Sequence, residues 1–301
     1  MTIRAAYSLS LPCEEGQGRA DLKPDVSACC RERFRRIDRF TQLALVGSAR
    51  LVSDLVACVK EDTERALAAA SPLDPGTGLY LSSRFASLSN TIEVHERMVR
   101  SGDLPRPANF INTLSNAAGY YVARNLGLGG VNQFVSRDDA SLLAALQLVQ
   151  LDVASGQVSA ALVGQVEEMP VPLDAHRLRL GVSADTALAE GSHWLWLEPQ
   201  RSVAGAALGQ LRSVVTVADE ESLQRWLAAQ DRDAWIFMPN GMENAPVAVS
   251  EFRPLPVVLP YSPAQSAAAL VHYLEGNYAA TLLVVIPDGT GRYHLLACTA
   301  S

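Results

Sequence analysis

Apolar side chains recur along this chain with two different periods. In "RERFRRIDRFTQLALVGSARLVSDLV", Ile37, Phe40, Leu43, Ala44, Leu51 and Leu55 return every three or four residues, which predicts an amphipathic helix. "NTIEVHERMVRSG" has helical spacing too, with Asn90 as its expected cap and Gly102 at its exit. Prolines 105 and 107 punctuate "LPRPANFINTLSN", which reads as a loop, and "AAGYYVARNLGLGG" reads as a short helix ended by glycines. Residues 140–154, "ASLLAALQLVQLDVA", place Leu or Val on nearly every side, the mark of a helix buried all round. Shorter runs predict strands: "VNQFVS", "AALVGQV" and "HWLWLEP", with "LYLSSRFASL" at 79–88 as strand or loop. Residues 14–28 read as a polar loop.

After residue 200 the alternation repeats in a smaller form. "SLQRWLAAQDR" and "SPAQSAAALVHYLEG" are predicted helices, and "AWIFM", "PVVLP", "ATLLVVI" and "YHLLAC" predicted strands. Strands and helices that alternate in this way predict a mixed, layered α/β fold.

Bulk properties narrow the class. The chain has 301 residues, 49% apolar and 19% charged, which is globular rather than disordered. With a net charge of −7, nucleic acid and anionic membranes are poor default partners. Its longest aliphatic runs, such as "LLVVI" at 282–286, are too short to span a bilayer. The N-terminal stretch lacks a basic-then-apolar pattern, so a cytoplasmic protein is expected. Cys13, Cys29, Cys30, Cys58 and Cys298 show no CxxC spacing and suggest reduced thiols, not a disulfide frame or a zinc site. No metal and no cofactor is expected.

Common catalytic signatures are missing: no GxSxG, no HExxH, no phosphate-binding loop. "GLGG" at 127–130 precedes a strand instead of following one, so it is not a dinucleotide fingerprint. Histidines 95, 176, 193, 272 and 294 are scattered and read as surface or satisfied structural residues. Ser136 and Ser141 read as capping residues, since no sequence feature supplies them with a base. The chemical oddity is "SRDDAS", two adjacent aspartates at the mouth of the buried helix. They could cap it, worth about 0.5–2 kcal/mol.

Residues 107–168 resemble the β-ketoacyl synthases of the thiolase superfamily. Pro107, Phe110, Thr113, Asn116, Gly119, "LGLGG", Gly156, Gly164 and Glu167 hold the spacing of that family's anchors. The resemblance implies a thiolase-like layered α/β/α/β/α fold, with a ketosynthase-like half at 1–200 and a reduced, shortened C-terminal half at 201–301. Counting back from Gly156, Gly164 and Glu167 puts Asp139 in the slot of the family's nucleophilic cysteine. "MPNGMEN" and "VLPYSPAQSAAA", laid on the later motifs, put Asn240 and Pro263 in the two histidine slots and Val258 in the lysine slot.

In the family, the helix-borne thiolate takes an acyl chain from a carrier thioester, and the histidines assist decarboxylation and hold the oxyanion. A carboxylate cannot store the acyl group, because the anhydride formed is less stable than the thioester consumed. The resemblance therefore implies a catalytically silent subunit of the chain-length-factor type. Its implied partners are an active ketosynthase, as a heterodimer, and an acyl carrier protein. Phe110, Asn112, Thr113 and Phe134 are its candidate tunnel or interface residues. Arg31, Arg33, Arg35, Arg36 and Arg39 are either a solvated helix start or the docking patch for the acidic carrier. Two alternatives stand beside this reading: a diverged decarboxylase or acyltransferase using Asp139, and a non-catalytic scaffold for carrier protein.

Overall fold

The computed structural model describes residues 1–62, 73–200, 207–239, 245–276 and 278–301. Among them are ten strands: β1 (Thr2–Cys13), β2 (Gly78–Ser82), β3 (Asn132–Val135), β4 (Ala161–Glu167), β5 (Leu188–Glu198), β6 (Gly209–Val217), β7 (Trp235–Phe237), β8 (Arg253–Pro254), β9 (Leu282–Pro287) and β10 (Tyr293–Ala300). The helices are α1 (Lys23–Cys29), α2 (Arg39–Asp62), α3 (Leu88–Glu96), α4 (Pro107–Asn112), α5 (Ala117–Leu126), α6 (Ser141–Ala154), α7 (Leu173–Leu180), α8 (Glu220–Ala228) and α9 (Gln265–Glu275). A π-wound turn, Arg97–Ser101, extends α3 to Gly102.

The strands form one sheet in the order β3-β2-β4-β5-β1-β6-β10-β9-β7-β8. Its two ends repeat each other. β2 runs parallel to β3 and β4, and β5 is antiparallel to β4 and β1. Likewise β7 runs parallel to β8 and β9, and β10 is antiparallel to β9 and β6. Strands β1 and β6 join the two half-sheets, with Thr2 and Ile3 opposite Gln210 and Gly209.

Helices α6 and α9 occupy equivalent places in this repeat. Each touches strands of both half-sheets, and both belong to the same buried core with Tyr80, Val163, Leu195, Val284 and Leu296. Helices α2 and α5 cover the outer face of the first half, and α8 that of the second. The result is the expected α/β/α/β/α layering. The all-round apolar α6 is the middle layer, where both its sides face sheet.

Two glycines show why that layering needs these residues. A Cβ at Gly164 would lie 2.5 Å from the Trp194 ring, so β4 and β5 can pair beside that indole only without a side chain there. At Gly119 a Cβ would lie 2.7 Å from Asn132 Oδ1, so a side chain there would push the Asn132 amide aside where α5 meets β3.

Several elements differ from the sequence reading. The edge of the predicted polar loop folds into α1, with Pro24 in its first turn. "PANFIN" is the short helix α4 and not a loop, because Pro107 occupies the first turn, where its missing N–H costs nothing. Ser87, not Asn90, stands at the start of α3; Asn90 is buried and its Nδ2 donates to Asn109 O at 2.7 Å. "PVVLP" is irregular and only "RP" before it pairs as β8, consistent with prolines that cannot donate to a ladder.

Candidate functional site

The end of β2 and the start of α6 meet at Arg84. Its Nη1 lies 3.0 Å from Asp139 Oδ1 and its Nε 3.4 Å from Asp138 Oδ1. Its backbone N–H donates to Glu167 Oε1, and its carbonyl accepts from Ser136 Oγ at 3.2 Å. Two segments distant in sequence, 136–139 and the end of β4, thus close on one arginine.

The turn that presents the two aspartates is sharp. Asp138 has φ of 45°, the left-handed region that Asp tolerates better than most residues. Ser141 Oγ accepts from the Arg137 N–H at 2.8 Å and donates to Asp138 O at 2.6 Å, which locks the turn. The capping position of α6 is Ala140, which has no side-chain oxygen, so the expectation that the aspartates cap the helix is corrected. Asp139 stands one residue earlier, held by Arg84, while Asp138 leaves 86% of its side chain to solvent.

Beneath the pair the site becomes dry. Glu167 is fully buried, and loss of water pushes its carboxyl up to about 8, so it is mostly protonated at neutral pH. Tyr261, buried and near Asp139, is pushed up to about 12, first by burial and then by that negative charge. Buried Gln165 donates through Nε2 to Pro263 O at 3.0 Å.

Pro263 occupies the position in the second half that Asp139 occupies in the first. Each immediately precedes an alanine cap of nearly the same geometry: Ala140 at φ −88°, ψ 9° and Ala264 at φ −89°, ψ 10°. The two mouths of the central helices therefore carry an aspartate and a proline. Val258 is 99% exposed, so it is no part of this site. Asn240 lies outside the described residues.

A pocket of about 420 Å³ opens on Arg84, Arg137, Asp138 and Asp139, with Asp288 and His294 on its far wall. His294 was expected to be a satisfied structural residue, and that is half right. Its Nδ1 sits 2.9 Å from Thr216 Oγ1, yet its buried Nε2 has no hydrogen-bond partner and lies 4.0 Å from Asp288 Oδ2. Burial lowers its pKa. No described cysteine lines this pocket.

The other candidate residues fall at two places. Phe110 is 56% exposed, beside exposed Ile111, Leu114 and Tyr120 on α4, α5 and their connection. Thr113 is half-buried and its Oγ1 donates to Phe110 O at 2.7 Å, whereas Asn112 is buried and donates to Arg36 O at 2.9 Å. Phe134 packs edge-on against Phe40 from β3, the edge strand. Arg31, Arg33, Arg35 and Arg36 are exposed, in an irregular segment before α2. Arg39 is turned inward instead. Its Nε is 2.9 Å from the buried Glu190 and its Nη1 2.6 Å from Ala20 O, so it is a structural cation rather than part of an open patch.

Arg84 and Tyr261 escaped the sequence reading, and His294 was read there only as structural. Arg84 follows an apolar strand and carries no motif, and its acidic partners come 54 and 55 residues later. Among the described residues no helix is long and apolar enough to cross a membrane, and no acidic, His or Cys group is arranged to hold a metal.

Residues 13–187 match the family described as "Beta-ketoacyl synthase, N-terminal domain". No curated protein is similar enough to the sequence to count as a match. Among solved structures, the ishigamide ketosynthase/chain length factor aligns over 99% of both chains, with a TM-score of 0.69 and 19% identity. The complex AntDE:AntF, a type II PKS acyl-carrier protein with its ketosynthase bound to the hexaketide, aligns over 100% of this chain and 99% of that one, with a TM-score of 0.70 and 13% identity. A β-ketoacyl synthase from Burkholderia phymatum STM815 aligns over 99% and 100%, with a TM-score of 0.69 and 13% identity.

Proposed function

The chain belongs to the β-ketoacyl synthase family, and from that premise we propose that it is a catalytically silent subunit that pairs with an active ketosynthase and shapes its acyl tunnel. The observation that carries this reading is Asp139, at the mouth of the central helix and ion-paired to Arg84. A carboxylate there cannot hold an acyl chain as a thioester does. With Asp139 in the nucleophile slot and Pro263 in a histidine slot, the chain lacks the groups that supply most of an enzyme's ~8–23 kcal/mol of barrier lowering.

What remains is shape. Edge strand β3 offers unpaired backbone groups, and the exposed apolar residues of α4 and α5 lie in the same half of the fold. These surfaces suit a ketosynthase subunit of the same fold, with Phe110, Thr113 and Phe134 at or beside the interface. Arg31, Arg33, Arg35 and Arg36 are exposed cations of the kind an acidic acyl carrier protein would meet. The chain being elongated is a polyketide, polyene or fatty-acyl chain. A setting in the cytoplasm is part of the same reading.

The test is co-expression with an active ketosynthase, followed by sedimentation and product analysis. A stable complex whose product shortens with Thr113→Phe supports the proposal. A monomer that never binds a ketosynthase counts against it, and an unchanged product favours a scaffold that only recruits carrier protein. One observation favours a second reading, an enzyme of new mechanism: His294 and Asp288 share the pocket of Asp139. Turnover of malonyl or acyl thioesters by the isolated chain, abolished by Asp139→Ala and by His294→Ala, would establish that reading instead.

A further inference from the structure

Cys29 ends α1 and Cys30 follows it, the two opening the segment that carries the exposed arginines. Both thiols are free, half-buried and adjacent in the chain, and Cys29 Sγ donates to Val26 O at 3.9 Å. Cys29 lines a pocket of about 340 Å³ with Arg31, Val52, Ser53 and Asn125, so small solutes reach it. The neighbouring Cys30 thiol, and then the guanidinium of Arg50, hold the Cys29 thiol below its ordinary value against the opposing effect of burial; Cys29 and burial together push the Cys30 thiol up. The pair therefore has one sulfur predisposed to be thiolate and a neighbour that keeps its proton. Reactive thiols are of this kind: partly exposed and beside positive charge. Cys13 and Cys298 differ, since burial raises both, Cys298 to about 12.

We propose that Cys29 and Cys30 form a vicinal dithiol site, outside the acidic pocket, that reacts with peroxides and closes to an intrachain disulfide. The Cys29 thiolate attacks one oxygen of hydrogen peroxide, the O–O bond breaks, and the departing hydroxide takes up the proton the thiol had released, which gives the first water and a sulfenic acid on Cys29. The Cys30 thiol then attacks that sulfur, the S–S bond forms and the hydroxyl departs as a second water. Two thiols are oxidised by two electrons and one peroxide is reduced to two waters. Neighbouring Cα atoms lie only ~3.8 Å apart across a trans peptide. Disulfides favour about 4.4–6.8 Å, so the ring is strained and readily reduced again. Ring closure also pulls on the Arg31 N–H, which donates to Asn125 Oδ1 at 2.9 Å and ties this segment to α5.

Trypsin places both thiols, and no other cysteine, in the peptide 20–31. The full chain is treated with hydrogen peroxide, alkylated and digested. The expected peptide is two hydrogens lighter, unalkylated, and restored by dithiothreitol. Phenylarsine oxide, which needs two neighbouring thiols, is expected to bind once per chain and to lose that site in Cys29→Ser and in Cys30→Ser. Sulfenic or sulfinic acid on Cys29 with Cys30 still reduced, a disulfide between two chains, or arsenical binding that survives both substitutions would overturn the proposal. If either variant fails to fold, peptide mapping of the unaltered chain decides alone.

Discussion

Arg84 Nη1 stands 3.0 Å from Asp139 Oδ1, so the guanidinium that ends the second strand is committed to the carboxylate that opens the central helix. Both side chains keep about a fifth of their surface in contact with solvent, 20% and 23%. The pair ties the end of β2 to the start of α6 beside buried Glu167.

Replacing the carboxylate by sulfur tests the field at this position. In Asp139→Cys, the thiol sits at the mouth of α6 against Arg84. Its alkylation midpoint should fall below the ordinary value of about 8.5. Arg84→Met in the same background should move it back up. A midpoint at or above the ordinary value would show that the helix end and guanidinium exert no such pull.

Removing only the cation should cost stability. Arg84→Met removes the salt bridge to Asp139 and the contact with Asp138 at the mouth of α6. Partial exposure discounts the full cost of a broken buried pair, leaving ~1–3 kcal/mol. Urea unfolding measures the loss, and Arg84→Met with Asp139→Leu should recover part of it.

Stability should also fall as pH rises through neutrality. Glu167 releases its proton near 4.5 when unfolded but at about 8 when folded. Between those values the folded state binds more protons, so each pH unit of rise costs on the order of 1 kcal/mol, and above about 8 the loss is complete. On the acid side, His193, buried and lowered to about 3, makes stability fall as pH drops below 6.5. Unfolding of Glu167→Gln across pH 5–9 should show a smaller loss of stability from pH 5 to 8, because the slope that Glu167 contributes over that window is gone.

The apolar face of α4 and α5 should matter for association and little for folding. Leu114 is 50% exposed, so Leu114→Asp should alter stability by no more than ~0.5 kcal/mol. Binding to a ketosynthase, followed by titration calorimetry, should weaken at least about ten-fold.

The layered fold was legible because α6 is apolar on every side and several of the strands around it are short apolar runs. Its neighbours were harder. α4 hides behind two prolines that break helices in general but start one here. The strand β1, "TIRAAYSLSLPC", mixes Arg4 and serines with apolar residues and declares itself only by pairing with β5 along its length. Asp139 could be found by counting between glycines, since Gly164 is fixed by the indole of Trp194. Arg84, Tyr261 and His294 could not, because what unites them is closure of the sheet and not any spacing along the chain. The arginine run misled at Arg39, whose partner Glu190 sits 151 residues away.

The central claim is that this chain lends shape to chemistry done by another. Intact-mass spectrometry of the chain mixed with an active ketosynthase, loaded carrier protein and malonyl thioester during turnover tests it most directly. The account predicts acyl mass on the ketosynthase alone and none on this chain. An acyl group covalently held on this chain during turnover would contradict it.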